Sequence, residues 1–413
     1  MKPFTLARGD ADDQEDRKPL SGNVILVHAG EQPPERYDAS VFLCGPTPRS
    51  NDVESWRPEA ITEITARWKG AGDLVVFVPE PPSGERWPSY DTNRVWELHW
   101  GDRADVTLFW IPRGPGMPGY TTNDEFGRWK DSGRAVLGTP PGAEQVRYQR
   151  EYASDVGIPL ADDLAGTVAL ALDHIGAGAP RAGGHRHVPL LLWRTSSFQS
   201  WLAAQESAGN ELRSGWLEWT FCVGPARSHV LFWAFHAVIW VAAEQREKAN
   251  EVVLSRPDTS TVVAYHRAPE LVDSEVVIVR EFRSPATTAD GFVRELPGGS
   301  GFKSASPIEQ AVAELAEETG IKVAADRVRV HQARQPAATV SGHQQHVFAV
   351  ELTRDELEHA RTDMNAHGVA SDTERTYVEV HRYGDLIERP LVDWATLGAI
   401  TAVLQANPTV TTA

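Results

Sequence analysis

Three glutamates with helical spacing lie close together in the last third of the chain. Glu314, Glu317 and Glu318 stand at i, i+3 and i+4, so a helix would place their carboxylates on one face. Carboxylates this close repel one another, and a divalent cation relieves that repulsion. Mg²⁺ prefers hard oxygen ligands together with substrate phosphates, so the pattern indicates a magnesium site. The alternative is a solvated acidic face on a surface helix.

The neighbouring residues predict the elements that would hold these glutamates. Residues 296–299 (LPGG) follow an apolar, strand-like run and predict a reversal of the backbone. Helical periodicity begins near Pro307, which suits a first helical turn because its missing N–H costs nothing there. Gly320 predicts a helix end of the left-handed type. The order is therefore strand, turn, helix and stop.

A second candidate for chemistry is Glu125, in the segment TTNDEFG at 121–127. A Gly/Pro-rich loop precedes it, and we expect a helix over 125–132. A carboxylate at a helix N-terminus is stabilised as the anion, so the pKa of Glu125 is expected to fall. An ionised glutamate can attack an anomeric carbon and form a covalent glycosyl-enzyme intermediate. The alternative is an ordinary glutamate in the first turn of a helix.

The segment 294–321 resembles the Nudix box. The positions that match its spacing are Gly299, Glu314, Leu315, Glu317, Glu318, Gly320 and Ile321. Two positions depart from it: Ala305 stands for the first Glu, and Ala313 stands for the Arg that orients the metal-binding glutamates in that family. The resemblance implies an α/β/α sandwich with a mixed sheet. It also implies a hydrolase dependent on Mg²⁺, with Mn²⁺ as the alternative ion.

The sequences VIVREFRSP and RELPGG resemble the ADP-ribose pyrophosphatase branch of that family. In that branch the Glu before the Leu-Pro turn often adds a metal contact, which here implies Glu295 beside Glu314, Glu317 and Glu318. Glu317 is also a catalytic candidate, and Glu374 matches the place of the acid/base Glu. Arg280 and Arg283 could hold phosphates, since arginine suits bidentate contacts; surface pairing with Glu281 is the alternative.

The first half of the chain resembles the nucleoside 2-deoxyribosyltransferase-like family. The matching segments are FLCGPTPR at 42–49, WE at 96–97, ADVTLFWIPR at 104–113 and TTNDEFGRWKDSGRAVLG at 121–138. The resemblance implies a flavodoxin-like fold that cleaves or transfers an N-glycosidic bond, with Glu125 as the nucleophile. Asp105 matches the Asp that helps to place the sugar and base. Gly45, Arg49 (which could meet a 5′-phosphate) and Asn123 are further substrate-binding candidates.

Composition limits the kind of partner. The chain has 413 residues and a formal charge of −17, which argues against binding to a nucleic-acid backbone and fits small nucleotide or nucleoside substrates. Its two cysteines, Cys44 and Cys222, lie far apart, so no disulfide framework is indicated. We find no signal-peptide pattern and no apolar run long enough for a membrane span, and we expect a cytoplasmic location.

Hydrophobic periodicity predicts the main elements. In the first half, four buried-strand patterns alternate with three amphipathic ones, which is typical of a parallel α/β sheet. The strands are predicted at 41–44, 74–79, 106–111 and 135–138, and the helices at 59–69, 95–104 and 125–132. Four tryptophans, Trp87, Trp96, Trp100 and Trp110, offer either stacking faces for a base or core packing.

We expect five segments. Residues 1–37 form a flexible arm with a short strand near 23–28, 38–178 the deoxyribosyltransferase-like domain, and 179–187 a linker. Residues 188–250 form a Trp-rich helical bridging region with helices over 198–205 and 230–247. Residues 251–413 form the Nudix-like domain, with strands at 261–266, 275–283, 340–352 and 376–382 and a last helix over 393–404.

These expectations combine into a bifunctional nucleotide-processing enzyme. The first domain breaks or transfers an N-glycosidic bond, and the last hydrolyses a diphosphate linkage such as that of ADP-ribose. In one alternative, the Nudix-like domain only senses a nucleotide and regulates the first domain. In another, the first domain is silent and the Nudix-like domain is the only enzyme. Relatives of the last domain are often dimers, so a homodimer is also expected.

Overall fold

The computed structural model describes residues 22–50, 52–82, 90–224, 229–300, 306–368 and 374–406, except for the side chains of 90–92. The chain divides into two compact units. The described part of the first comprises residues 22–193, 212–217 and 224, and that of the second comprises 194–211, 218–223 and the described residues from 229 onwards. One sheet is parallel and another is mixed, so the protein belongs to the mixed α/β class.

The first unit is built on a parallel sheet of six strands in the order β1-β4-β3-β5-β6-β7. The strands are β1 Val24–His28, β3 Ala39–Cys44, β4 Leu74–Val78, β5 Val106–Trp110, β6 Ala135–Gly138 and β7 Leu160–Ala161. The helices are α1 Arg57–Arg67, α2 Tyr90–Gly101, α3 Tyr120–Trp129, α4 Arg147–Val156, α5 Leu164–Ile175 and α6 Leu190–Trp193. The strands predicted at 41–44, 74–79, 106–111 and 135–138 are confirmed.

Helices cover both faces of this sheet because alternate strand residues point to opposite sides. Val41 and Leu43 pack on one face with residues of α1 and α5. Phe42 and Cys44 pack on the other with residues of α2, α3 and α4. The carboxyl ends of the central strands β3 and β5 are adjacent, so the loops that follow them lie at one edge of the sheet.

Two boundary predictions are wrong. The short strand predicted near 23–28 is confirmed as β1, but it forms the edge of the parallel sheet and β2 (Arg36–Tyr37) pairs with β8 (Arg181–Ala182), so these residues do not belong to a flexible arm. Residues 179–187 are not a flexible linker either, because the Arg181 side chain is fully buried in an ion pair with Asp105. The glycine and alanine residues around Arg181 gave the segment the composition of a linker, although one buried charge anchors it. Residues 1–21 lie outside the described part of the chain.

The second unit contains a mixed sheet of eight strands. Its main path runs β16-β17-β12-β13-β19-β18, with β14 paired to β13 and β15 paired to β12. The strands are β12 Thr259–His266, β13 Glu275–Phe282, β14 Phe292–Glu295, β15 Gly298–Ser300, β16 Arg329–Arg334, β17 Gln345–Glu351, β18 Ala366–His367 and β19 Thr376–Arg382. Only β12 and β17 are parallel among the pairings described.

Helices lie on both faces of the mixed sheet. They are α8 Pro307–Thr319, α9 Arg354–Thr362, α10 Tyr383–Glu388 and α11 Trp394–Gln405. Residues of α8 and α9 share one apolar core with the sheet, and residues of α10 and α11 share the other. The predicted strands and the last helix of this region are confirmed, although the strand predicted over 340–352 begins only at Gln345.

A three-stranded sheet, in which β10 and β11 are antiparallel, stands where a helical bridge was expected. After α7 (Ser196–Ser207), which confirms the helix predicted over 198–205, come β9 Glu211–Val223, β10 His229–Val241 and β11 Arg246–Ser255, in the order β11-β10-β9. The helix predicted over 230–247 is therefore wrong. Apart from His229 and His236, the run HVLFWAFHAVIWV is apolar, so its periodicity fits a helix or a strand, and its aromatic and β-branched residues favour the strand.

Within the described residues, no helix combines the length and the hydropathy that a membrane crossing requires.

Candidate active sites

The first candidate site lies where β3 and β5 end. In parallel sheets of this kind, ligands bind outside the carboxyl ends of the strands at the point where the strand order reverses. Gly45 follows β3 there with φ +152°, and a Cβ atom at this position would collide with the Trp110 carbonyl oxygen and the Trp56 ring. Only glycine fits, so the backbone of the first loop passes directly over the end of β5.

Arg57, the first residue of α1, ties this loop together. Its guanidinium donates to the Gly45 carbonyl oxygen at 2.9 Å and to Thr47 Oγ1 at 3.2 Å, and it forms an ion pair with Glu80 at 2.5 Å. The side chain is 2% exposed. A buried guanidinium with these contacts fixes the loop and places a positive charge beside the carboxylates of the site.

Two of those carboxylates are Glu125 on α3 and Glu97 on α2. Both are half-buried, and the pKa of Glu125 rises to about 8 through burial and through the Glu97 charge, while Arg57 lowers it. Burial raises the pKa of Glu97 to about 7, while Arg57 and a hydrogen bond from Asn93 lower it. Near neutral pH the pair therefore retains a proton, which is the condition for general acid catalysis beside a carboxylate.

The expectation that the pKa of Glu125 falls is wrong. The structure begins α3 at Tyr120, five residues earlier than expected, so Glu125 lies beyond the first turn, where the helix dipole acts. Burial of the charge and the nearby Glu97 carboxylate then decide the direction.

Asp105, predicted to contact the substrate, lies elsewhere. It precedes β5 and is therefore at the amino end of that strand, whereas Gly45 and the Arg57 contacts are at the carboxyl edge. Its carboxylate accepts from Arg181 at 2.6 and 2.7 Å, from the backbone N–H of Ser40 and from that of Leu190, and it is 2% exposed. The residue holds the fold together and does not reach a substrate at the carboxyl edge.

The other substrate-binding candidates of this unit remain at the carboxyl edge. Arg49 is exposed, and its guanidinium lies over the Tyr120 ring at 5.8 Å, at the start of α3. Asn123 points away from Glu125, and its Oδ1 accepts from Arg113 at 2.6 Å and from Gln149 at 2.7 Å. The tryptophans Trp96, Trp100 and Trp110 are core residues, each less than 8% exposed, while Trp87 lies outside the described residues.

The second candidate site is a cavity of about 960 Å³ in the second unit. All the predicted metal ligands line it together with the predicted base: Glu295, Glu314, Glu317, Glu318 and Glu374. Glu314, Glu317 and Glu318 lie on one face of α8, as their spacing predicted. The helix starts at Pro307 after a Ser306–Glu309 capping box and stops at Gly320 with φ +71°, as predicted.

Two glycines let the turn approach these carboxylates closely. The Gly298 N–H donates to Glu318 Oε2 at 3.0 Å. A Cβ atom at Gly298 would collide with the Ser260 carbonyl oxygen on β12, and one at Gly299 would collide with the Glu314 carboxylate. Gly298 is therefore a steric requirement of the turn, because it meets backbone, whereas a side chain at Gly299 would displace the Glu314 carboxylate. Ala313 also lines the cavity, where it brings no cation, and Ala305 lies outside the described residues.

Glu318 has the most perturbed acidity in this cavity. The side chain is 4% exposed, and burial raises its pKa to about 9 against the opposing Gly298 hydrogen bond. The charges of Glu314, Glu295 and Glu374 raise it further. A group of carboxylates that resists ionisation in this way is one that a bound cation would stabilise.

Arginines supply the positive charge of the cavity. Arg283 forms ion pairs with Glu295 at 3.0 Å and with Glu281 at 2.8 Å. It therefore makes the pairing with Glu281 that was the alternative to phosphate binding, and it also lines the cavity. Burial raises the pKa of Glu281 to about 7. Arg280 is not part of the cavity lining: it pairs with Glu379 at 3.3 Å and lies over the Phe292 and Tyr377 rings.

The donor types fit a hard divalent cation, because six carboxylates, the five named above and that of Glu309, line one cavity. Their oxygens, however, turn toward protein partners, Glu295 to Arg283 and Glu318 to Gly298. Among the described residues, no three His, Cys, Asp or Glu side chains converge on a point that would hold a metal ion. Binding a cation would therefore require these side chains to rotate.

Sequence reasoning missed Glu97, Arg57 and Arg256. The Trp-Glu pair at 96–97 was a signal for Glu97, since a helix following β4 reaches the same edge of the sheet as α3. Arg57 stands in an ordinary helix-start sequence, and only its burial in the structure identifies it as a residue of the site. Arg256 lines the second cavity, donates to Ser300 Oγ at 2.7 Å and lies over the Phe232 ring, although it is distant in sequence from the glutamates.

A scan against protein-family models finds no match to this chain, and a search among curated proteins finds none either.

Proposed function

We propose that this chain is a bifunctional nucleotide-processing enzyme, in which the first unit cleaves or transfers an N-glycosidic bond and the second hydrolyses a diphosphate linkage. One observation carries the proposal: each unit places glutamates of raised pKa together at a site, beside an arginine. In the first unit, the strand order with β1 set aside is that of flavodoxin-like sheets, which favours the deoxyribosyltransferase-like assignment.

In the first unit, Glu125 attacks the anomeric carbon of the nucleoside sugar. The bond between that carbon and the base nitrogen breaks, a bond to the Glu125 carboxylate forms, and Glu97 donates its proton to the departing base. Water or a second base then attacks the sugar, the bond to Glu125 breaks, and the Glu97 carboxylate takes the proton of the attacking group, which restores both glutamates. Because the pKa of Glu125 (about 8) lies above that of Glu97 (about 7), Glu125 holds the proton first, and this proton has to move to Glu97 before Glu125 can attack as a carboxylate.

In the second unit, Glu295, Glu314, Glu317 and Glu318 would hold Mg²⁺, or Mn²⁺ in its place. The ion supplies charge neutralisation for the diphosphate and acidifies the attacking water. Arg283 and Arg256 bind phosphate oxygens, and Glu374 takes the proton of the water as it attacks phosphorus. The bridging P–O bond breaks, which yields two monophosphates from a substrate such as ADP-ribose.

A second candidate function is a nucleotide sensor in the second unit. The observation that favours it is the absence, among the described residues, of a converged set of metal ligands, together with Ala313 in place of an orienting arginine. Such a sensor binds ADP-ribose without turning it over. The Glu317→Gln variant would then bind and regulate like the wild type.

Mass spectrometry of products tests the proposal. The protein is incubated with nucleosides, nucleoside monophosphates, dinucleotides and ADP-ribose, with Mg²⁺ or with a chelator. We expect free base in both conditions and monophosphates from ADP-ribose only with Mg²⁺. Intact ADP-ribose together with a ligand-induced rise in Tm would favour the sensor. An unchanged panel with no rise in Tm would overturn both functions.

A further inference from the structure

A separate cavity of about 460 Å³ lies between α3 and α4 of the first unit. Asn123, Gly127 and Lys130 line it at spacings of four and three residues, so they share one face of α3. Glu125 is two positions from Asn123, about 200° around the helix, and does not line this cavity. The two faces of α3 therefore serve different sites.

The cavity contains a buried arginine with no compensating carboxylate. Arg113 is 9% exposed, and no acidic side chain among the described residues lies within ion-pair distance of it. It donates to the Gln145 carbonyl oxygen at 2.8 Å, to the Gly119 carbonyl oxygen at 3.3 Å and to Asn123 Oδ1, while its Nε has no acceptor. Burial lowers its pKa. A buried cation whose hydrogen-bond acceptors are all neutral is costly, so an anion site beside Arg113 would account for its presence.

The remaining lining is cationic or neutral, in a chain with a formal charge of −17. Lys130 and Arg147 add two positive charges. Their own partners, Asp131 and Glu151, are 56% and 62% exposed, and surface pairs of this kind hold a cation weakly. The cavity is therefore arranged for a negatively charged ligand.

Two tyrosines form an aromatic wall at this cavity. Tyr148 and Tyr152, on successive turns of α4, are 74% and 42% exposed, and their ring centroids lie 5.7 Å apart. Exposed tyrosines in adjacent positions offer planar surface against which a ring can pack.

We propose that this cavity binds a phosphate ester that carries an aromatic ring. The phosphate lies among Arg113, Lys130 and Arg147, and the ring packs on Tyr148 and Tyr152. Binding at this cavity requires neither the glycosidic nor the diphosphate chemistry, so failure of the proposed function would leave this proposal unaffected.

Isothermal titration of the full chain with phenyl phosphate tests the proposal, because this probe has neither a glycosidic nor a diphosphate bond. Inorganic phosphate and phenol serve as separate probes. We expect phenyl phosphate to bind more tightly than inorganic phosphate, and phenol not to bind. Hydrogen exchange with phenyl phosphate present should slow at the amides of residues 145–152. No binding of either phosphate, or no protection in this segment, would overturn the proposal.

Variants at exposed positions separate the two parts of the site without disturbing the core. Arg147→Glu should weaken phenyl phosphate binding about tenfold or more, since hydrogen bonds to charged groups are the strong ones. Tyr148→Ala should remove the advantage of phenyl phosphate over inorganic phosphate. The matched control is Lys69→Glu, the same charge reversal on an exposed residue just beyond the end of α1. Equal affinities of Arg147→Glu and Lys69→Glu for phenyl phosphate would overturn the anion site. An unchanged ratio of the phenyl phosphate affinity to the inorganic phosphate affinity in Tyr148→Ala would overturn the aromatic part of the site.

Discussion

Glu318→Gln tests the electrostatics of the second cavity most sharply. The change removes a charge but keeps the shape of the side chain and an oxygen that accepts from the Gly298 N–H. Burial and three neighbouring carboxylates raise the pKa of Glu318 from 4.5 to about 9. Because the folded state holds this proton more tightly than the unfolded state, stability is greatest below pH 4.5 and decreases as the pH rises toward 9.

The magnitude follows from the size of the shift. Each pKa unit corresponds to about 1.4 kcal/mol, so the wild type loses about 3 kcal/mol between pH 4.5 and pH 7 through this one group. For a unit of roughly 200 residues, about 3 kcal/mol corresponds to about 6–12 °C in Tm. Glu318→Gln should escape this loss and have a higher Tm than the wild type at neutral pH in a chelator.

Differential scanning calorimetry from pH 5 to pH 9 measures the effect, with Glu388→Gln on an exposed residue of α10 as the matched control. Mg²⁺ should stabilise the wild type at pH 8 and have little effect on Glu318→Gln. If the Tm of wild type and Glu318→Gln fell in parallel across this pH range, Glu318 would not hold a proton in the folded state and the reasoning would fail.

Three further predictions concern other parts of the chain. Glu97→Gln should lower the rate of base release by a factor of roughly 10²–10⁴, because the general acid is lost. In the wild type we expect the rate of product formation to be bell-shaped against pH, with its maximum between about 7 and about 8. In Glu97→Gln the rate should only rise with pH. Gly299→Ala should weaken Mg²⁺ binding in titration calorimetry, because its Cβ displaces the Glu314 carboxylate, whereas unchanged binding would place the ion elsewhere. Arg181→Met should lower the free energy of unfolding of the first unit by about 3–5 kcal/mol, measured in urea, because it leaves the Asp105 carboxylate buried without its cation. A loss below about 1 kcal/mol would show that the ion pair is replaceable.

Local sequence signals predicted the elements that carry chemistry. Pro307 and Gly320 set the bounds of α8, and the spacing of Glu314, Glu317 and Glu318 set their common face. The alternation of buried-strand and helical patterns predicted the parallel sheet. These features depend on residues close in sequence, which is why periodicity and end signals were sufficient.

Three predictions that depended on tertiary context were wrong. The run at 229–241 is apolar except for His229 and His236, so its periodicity could not separate a helix from the strand β10. Arg181 appeared to belong to a flexible linker because its partner Asp105 is 76 positions away. The direction of the Glu125 pKa depended on Glu97 and Arg57, which come from two other elements. In each case the charged side chain or the apolar segment depends on a contact with residues that are distant in sequence.

The central claim is that one chain contains two independent chemical sites. Its most direct test compares Glu125→Ala and Glu317→Gln with the wild type in a single product assay containing a nucleoside, ADP-ribose and Mg²⁺. We predict that Glu125→Ala abolishes release of free base and leaves ADP-ribose hydrolysis intact, while Glu317→Gln does the reverse. If both variants retained both activities, or if the wild type had neither, the assignment of the two sites would be contradicted.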